Sequence, residues 1–325
     1  MTTPAALIAT VERFPVAGAF TISRGAKTHV DVVTCHAVRE GATGRGEGTP
    51  IYYHGETAED CAETIRALPP IATREELLAA LPRGAARNAV DAALWDLEGK
   101  ESGRRVWQLL GLPEPRPLLT AYTISVGEPE VMEAAARRAA ARELLKVKLT
   151  GEGDEERIAA VRAGAPDARL IVDANEAWAD LDVEMMAHAL VPYRVELIEQ
   201  PLPAGDDEGL DHIRSPIPLC ADESCQDLPT LDACLGRYQL INIKLDKAGG
   251  LTEALRLAEA AKAAGMGIMT GCMLCTSLGI APAFHVAMLG QYADLDGPLL
   301  LARDRDEGLT FTGSDVEPPS PNLWG

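Results

Sequence analysis

Five ionisable residues recur along this chain, each directly after or at the end of a short apolar run: Lys148, Asp173, Glu199, Asp222 and Lys244. Neighbours lie 25, 26, 23 and 22 residues apart, about one strand, loop and helix, which puts them on successive strand ends. Asp173, Glu199 and Asp222 then offer three hard carboxylate oxygens with no histidine or thiolate at matching positions. That donor set selects Mg²⁺ or Mn²⁺ over zinc. Any one of these acids alone is more simply an ion-pair partner or a helix cap, but three in phase point to a metal.

Two lysines flank the acids. In Lys146-Val147-Lys148 strand alternation turns both lysines to one side, and Lys146 is placed to tune Lys148 towards the pKa of roughly 7 to 8 that a lysine base needs. Lys244 opens Lys244-Leu245-Asp246-Lys247 four strands later. Lysines on opposite sides of a metal-bound substrate can take a proton from one face of a carbon and return one to the other. Ion-paired lysines and a Schiff-base lysine are the alternatives, although Schiff-base chemistry needs no cluster of three acids. Asp294-Leu295-Asp296 aims two more carboxylates at the same mouth. Five acids are too many for one Mg²⁺ that keeps waters, so this pair suits a substrate ammonium, or a cap or turn before Gly297-Pro298.

Beyond residue 118, β-run, polar turn and Ala-rich helix repeat, with candidate strands at 119–124, 145–149, 170–172, 195–198, 217–220, 240–243, 267–270 and 291–293. Continuous apolar strands alternating with helices imply parallel strands covered by helices. An open doubly wound sheet gathers its ligands at one switch point. Here polar residues end at least six strands, which fits a closed barrel with its site on the C-terminal rim. Ahead of it, β-type runs at 7–16, 28–38 and 50–53, with a polar loop at 21–28, suggest a small antiparallel sheet. Thr57 and Thr73 are helix N-caps, Thr73 with Glu76 at capping-box spacing, and one helical pattern covers 85–110. The expected layout is an α+β capping domain over 1–117, completed by the tail 300–325, and a barrel over 118–299.

With 49 acidic against 30 basic residues, the formal net charge of −19 argues against a nucleic-acid partner. No membrane-length apolar run and no secretory leader are visible, so a cytoplasmic location is expected. The seven cysteines are an odd number, several in apolar segments (Cys35, Cys220, Cys234), which suits reduced thiols. Cys272 and Cys275 form a C-x-x-C without a second ligand pair or a thioredoxin-like pattern, so packing is their expected role.

Together these pieces resemble the enolase superfamily, and within it the muconate-lactonizing-enzyme-like subgroup with lysines on strands two and six. The resemblance covers nearly the whole chain. It rests on residues 85–97, on Lys146-Val147-Lys148, on Asp173-Ala174-Asn175-Glu176-Ala177-Trp178 and on Ile198-Glu199-Gln200-Pro201. Ala221-Asp222-Glu223-Ser224 and Lys244-Leu245-Asp246-Lys247-Ala248-Gly249-Gly250 complete it.

The resemblance implies a (β/α)₇β barrel with an α+β cap, one Mg²⁺ on Asp173, Glu199 and Asp222, and abstraction of a proton α to a carboxylate to give an enediolate. Asn175 and Glu176 would stand behind the ligands, and Asp246 would orient Lys244. Within the subgroup, Asp294-Leu295-Asp296 resembles the acid pair with which dipeptide epimerases hold the substrate ammonium. Gly271-Cys272-Met273-Leu274 resembles their peptide-contacting strand-seven segment, making Cys272 and Leu274 substrate contacts along with Thr123 and Lys146. Arg24 resembles the arginine that receives a glutamate side chain. The expected activity is Mg²⁺-dependent epimerisation of the C-terminal residue of L-Ala-D-Glu and L-Ala-L-Glu, with reuse of murein peptides as its setting. The rivals are an N-succinylamino acid racemase, a cycloisomerase or an o-succinylbenzoate synthase of the same subgroup, and, from another class, a non-catalytic metal-binding protein on the same fold. Two retained lysines speak against the last. A homo-oligomer is left open, since no interface signature is visible.

Overall fold

The computed structural model describes residues 3–22 and 25–325. Its first unit is a three-stranded antiparallel sheet in the order β1 (Ala6–Ile22), β2 (Gly25–Arg39), β3 (Ala42–Gly48). Residues 21–22 and 25–28, expected in a loop between runs, extend β1 and β2. β1 and β2 pair from Ala6 opposite Val38 out to Ile22 opposite Gly25, with a register shift between Pro15 and Phe20. Residues 50–53 are not the third strand either, because Ala42–Gly48 fills that place. Three glycines in its seven residues erase the alternation that marks a strand in sequence.

Those glycines have a steric reason. A Cβ on Gly44, Gly46 or Gly48 would stand 2.0 to 2.2 Å from the carbonyl oxygens of Ala93, Ala89 and Ala85. The period-2 glycines of β3 therefore seat the period-4 alanines of the helix Ala85–Ser102, backbone against backbone. That helix stops short of the expected 85–110, at Gly103 in the left-handed region (φ 65), and a separate turn of helix follows at Val106–Leu109. Thr57 and Thr73 cap the helices Ala58–Ala67 and Arg74–Ala80 by accepting the backbone N–H of Asp60 and Glu76, each cap worth about 1 kcal/mol.

The second unit is an eight-stranded parallel barrel: β5 (Tyr122–Ile124), β6 (Leu144–Lys148), β7 (Arg169–Asp173), β8 (Val195–Glu199), β9 (Leu219–Ala221), β10 (Leu240–Ile243), β11 (Gly267–Gly271) and β12 (Tyr292–Asp294). The Ala121 N–H donates to Ala293 O across the seam at 2.8 Å. The expected first strand 119–124 is two strands, since β4 (Leu118–Leu119) pairs with β14 (Asp315–Val316), itself paired with β13 (Phe311–Thr312). Thr120 makes the turn between them, its hydroxyl accepting the N–H of Leu295. Helices fill six of the seven connections, and a 3₁₀ turn, Glu208–His212, fills the one between β8 and β9. The architecture is the (β/α)₇β barrel with an α+β cap.

The tail serves both units: Val316 is part of the barrel's outer core, and the Trp324 indole N–H donates to Ala92 O on the cap helix at 3.0 Å. Among the described residues no helix is long and apolar enough to cross a membrane. All seven cysteines are free thiols, Cys272 and Cys275 included.

Candidate active site

Alternation sends every second strand residue into the barrel, so the interior is built in levels. The lowest is apolar: Ala121, Leu144, Ile171, Leu197, Cys220, Leu240 and Met269 form one buried cluster. Two residues further along, the positions become Thr123, Lys146, Asp173, Glu199, Asp222, Asn242 and Asp294, all buried. On β11 that position is Gly271, where a Cβ would lie 2.6 Å from Asn242 Oδ1. One step higher stand Lys148, Asn175, Lys244 and Asp296. With an apolar floor beneath, the carboxylates cannot be solvated from below and must find cations beside or above them.

They find four lysines. Asp173 Oδ2 is 2.6 Å from Lys148 Nζ and 3.1 Å from Lys146 Nζ. Lys146, 1% exposed, also reaches Glu199 Oε2 at 2.7 Å and Asp294 Oδ2 at 2.8 Å. Asp222 is held from two sides, by Lys244 at 2.6 Å and by Lys247 at 2.6 Å. The Asn242 amide donates to Glu199 Oε1 at 2.7 Å, and the backbone N–H of Asn175 to Asp173 Oδ1 at 3.0 Å. Glu176 reaches away from the trio and accepts the N–H of Ala204.

Against the upward push of burial, Lys148 and Lys146 hold Asp173 below the usual carboxylate range, and Lys244 and Lys247 hold Asp222 well below it. Glu199, with burial and the Asp173 charge both acting on it, is pushed up to about 7. One oxygen from each of the three converges within 4.8 Å, and among the described residues no other set of acids, histidines and cysteines does so. A buried, all-carboxylate cradle holding more negative charge than it can keep ionised alone fits a divalent hard cation. Despite burial, Asp222 and Glu199 hold Lys244 well above its ordinary value.

The loop after β10 is tied to the cap. From Lys244 the chain makes a short helix, Leu245–Ala248, turns at Gly249 (φ 77) and Gly250 (φ 122), and enters the helix Leu251–Ala263. Asn88 Nδ2 and the Thr49 N–H donate to Asp246 Oδ1 at 2.7 and 2.9 Å. Arg87 donates to Gly249 O and Ala248 O, and Asp91 accepts the Thr252 N–H. A Cβ at Gly249 or Gly250 would collide with Arg87 at 2.5 Å or Asp91 at 2.6 Å, so both glycines answer a close approach as well as a positive φ. Asp246 is thus not a direct partner of the Lys244 ammonium; it fastens the Lys244 segment to the cap. Residues 85–97 supply that fastening, a role their motif did not disclose. Lys247, fully buried, also donates to Cys225 O and Asn242 O.

A cavity of about 190 Å³ lies between the barrel mouth and the end of the β1–β2 hairpin, and Lys148, Lys244, Asn175, Glu223, Cys272 and Leu274 line its barrel side. β6 and β10 stand four strands apart in an eight-stranded ring, so its two lysines face each other across the diameter. Asp294 and Asp296 do not line this cavity. Asp294 Oδ1 is buried without a hydrogen-bond partner. Asp296 accepts the Thr123 N–H at 2.6 Å, and burial, with Asp294 beside it, pushes it up to about 7. Thr123 thus meets the strand-eight pair through its backbone. A larger hollow of about 490 Å³ reaches Thr123 between the helix Pro129–Arg138 and the barrel seam, away from the two lysines. Arg24 lies outside the described residues.

Comparison with known families agrees with this geometry. Residues 130–310 match the enolase C-terminal domain-like family, and residues 6–111 the N-terminal domain of the mandelate racemase / muconate lactonizing enzyme family. The chain belongs to that family. Among its enolase-like relatives, the L-Ala-D/L-Glu epimerase of Escherichia coli (strain K12) is 43% identical over 94% of this chain and 97% of its own. An N-acetyl-D-glutamate racemase of Pseudoalteromonas is 44% identical over 87% and 91%. The solved structure of an enolase family member from Agrobacterium tumefaciens with homology to dipeptide epimerases, carrying sodium and L-Ala-L-Glu, superposes with TM-score 0.93 at 52% identity, covering 99% of this chain and 100% of that one.

Proposed function

We propose that this protein is a Mg²⁺-dependent isomerase that epimerises dipeptides at their C-terminal residue, with L-Ala-D-Glu and L-Ala-L-Glu as its substrates. One observation carries the reading: two lysines face each other across a cavity seated on three converging carboxylates. Binding a metal needs neither lysine, and delivering a proton to either face of one carbon needs both. Asp173, Glu199 and Asp222 would hold Mg²⁺, which supplies positive charge beside a carboxylate whose α-carbon is losing its proton. An Enterococcus faecalis dipeptide epimerase solved with Mg and L-Leu-L-Tyr, 30% identical with TM-score 0.89 over 97% of both chains, supports that choice.

The substrate's C-terminal carboxylate lies at the trio, which places the α-carbon between Lys148 and Lys244. For one epimer Lys148, as the neutral amine, takes the α-proton, leaving a planar enediolate. The Lys244 ammonium then protonates the other face, and the opposite epimer uses the lysines in reverse. No atom is gained or lost, since one proton leaves and one returns.

The amine end separates the two most similar activities. An N-acetyl nitrogen is uncharged, whereas a dipeptide brings an ammonium. Asp294, with a buried oxygen that lacks a partner, is suited to the ammonium and poorly suited to an acyl group. Arg24 is the proposed partner for the glutamate side chain, and a cytoplasmic setting in murein-peptide reuse follows from the dipeptide reading. The test is incubation in D₂O with Mg²⁺ and either L-Ala-L-Glu or N-acetyl-L-glutamate, following deuterium uptake and stereochemistry at the α-carbon. Turnover of the dipeptide is expected; turnover of N-acetylglutamate alone replaces this reading with the racemase.

A further inference from the structure

The cap's side of the cavity holds one feature that neither the metal trio nor the lysine pair uses. Lys27, on β2, lines the cavity. It sits directly opposite Phe20 of β1, which lines it too. Its Nζ lies 4.4 Å from the centroid of the Tyr52 ring, a second cap residue of the wall. Among the described residues Lys27 makes no ion pair, although acids outnumber basic residues 49 to 30 in the chain. It is also partly desolvated, which lowers its pKa.

The β1–β2 pair that carries it is fastened at both ends of the arm. The Thr21 carbonyl accepts the Val126 N–H at 3.2 Å on the barrel rim. Further back, Phe14, Val16, Val30 and Val32 pack with Leu274 and Leu301. Lys27 is therefore a cation held by a docked strand, aimed into the cavity and stabilised by an aromatic face in place of an acid.

The substituents of the reacting carbon say what would meet it. In the planar intermediate the carboxylate, the nitrogen and the side chain share a plane whose two faces belong to Lys148 and Lys244. The carboxylate points down to the trio and the nitrogen towards β12, where Asp294 waits. Only the direction towards the cap remains for the side chain.

Resting on the dipeptide reading, we infer that Lys27 is a specificity-determining residue that receives the side-chain carboxylate of the residue being epimerised. The test compares L-Ala-L-Glu with the uncharged L-Ala-L-Gln in the wild type and in Lys27→Met, Lys27→Arg and Lys27→Glu. Lys27→Met is expected to lower kcat/KM for the glutamate dipeptide by roughly 10- to 100-fold, the range of a charge-assisted hydrogen bond, and to leave the glutamine dipeptide unchanged. Lys27→Arg should restore most of the loss, and Lys27→Glu should move the preference towards L-Ala-L-Lys. Equal losses on both dipeptides, or none, overturn the inference. If the wild type acts on N-acetyl-L-glutamate and on no dipeptide, the dipeptide reading fails, while N-acetyl-L-glutamate against N-acetyl-L-glutamine still reads out Lys27.

Discussion

The two lysines that face each other across the cavity are held by different parts of the molecule. Lys148 belongs to the barrel alone: it ends β6 and pairs with Asp173 on the adjacent strand. Lys244 pairs equally closely with Asp222, but the segment it begins is fastened to the cap through Asp246, Asn88, Thr49 and Arg87. Two-base chemistry looks symmetric on paper, and here one base depends on barrel folding and the other on cap docking as well. Damage to the cap should therefore fall on one face of the substrate.

The largest effect comes from removing either base. Lys148→Met and Lys244→Met should each lower epimerisation by about 10³-fold or more. Each should still exchange the α-proton of whichever epimer presents it to the surviving lysine. Proton NMR in D₂O on each pure epimer reads this, and variants that lose exchange from both epimers alike would break the two-base assignment.

Next, Asp222→Asn should destabilise the protein more than Asp173→Asn. It strands Lys247, fully buried and paired with no other carboxylate among the described residues, at about 3 to 5 kcal/mol. After the loss of Asp173, Lys146 keeps Glu199 and Asp294, and Lys148, which loses its carboxylate, borders the cavity where water reaches it. Urea unfolding of both variants gives the ranking, and equal losses would remove the asymmetry from the stability side.

A third prediction touches neither lysine and serves as a reference. His285 is buried, and burial lowers its pKa to about 4. Because the unfolded chain takes up this proton first as the pH falls below roughly 6.5, the stability it contributes is complete above that value and is lost on the way down to 4. The loss is about 3 kcal/mol. His285→Gln should flatten the pH dependence of unfolding in that window without favouring either substrate face.

The smallest effect is the most pointed. Asn88→Ala, remote from the chemistry, should cost about tenfold in the rate of exchange assigned to Lys244, through misplacement alone. Exchange assigned to Lys148 should be unaffected. Equal slowing of both faces would show that the cap supports the whole mouth and not one base.

The barrel and its ionisable strand ends were legible because a period of 22 to 26 residues and an inward alternation survive in sequence. What escaped reading has physical causes. Glycine at every second position hid β3, since close packing removed the side chains that announce a strand. The break after Lys100-Glu101-Ser102 depends on Gly103 adopting a positive φ that its neighbours do not signal. Asn242 alternates with Leu240 and Lys244 on a strand, a faint sign that an amide was needed inside. Lys247 carries no sequence sign of burial, because three residues' spacing says nothing about which side of a short helix is buried. Asp246 was assigned to the lysine beside it in sequence, when its partners lie 158 and 197 residues away.

The contact between Trp324 and Ala92 spans 232 residues. During synthesis the helix Ala85–Ser102 therefore leaves the ribosome long before the indole that hydrogen-bonds its carbonyl, and the whole barrel emerges in between. A nascent chain meets its cap helix early but can finish that surface only after the barrel segments have been made, so the first unit to appear is among the last to close.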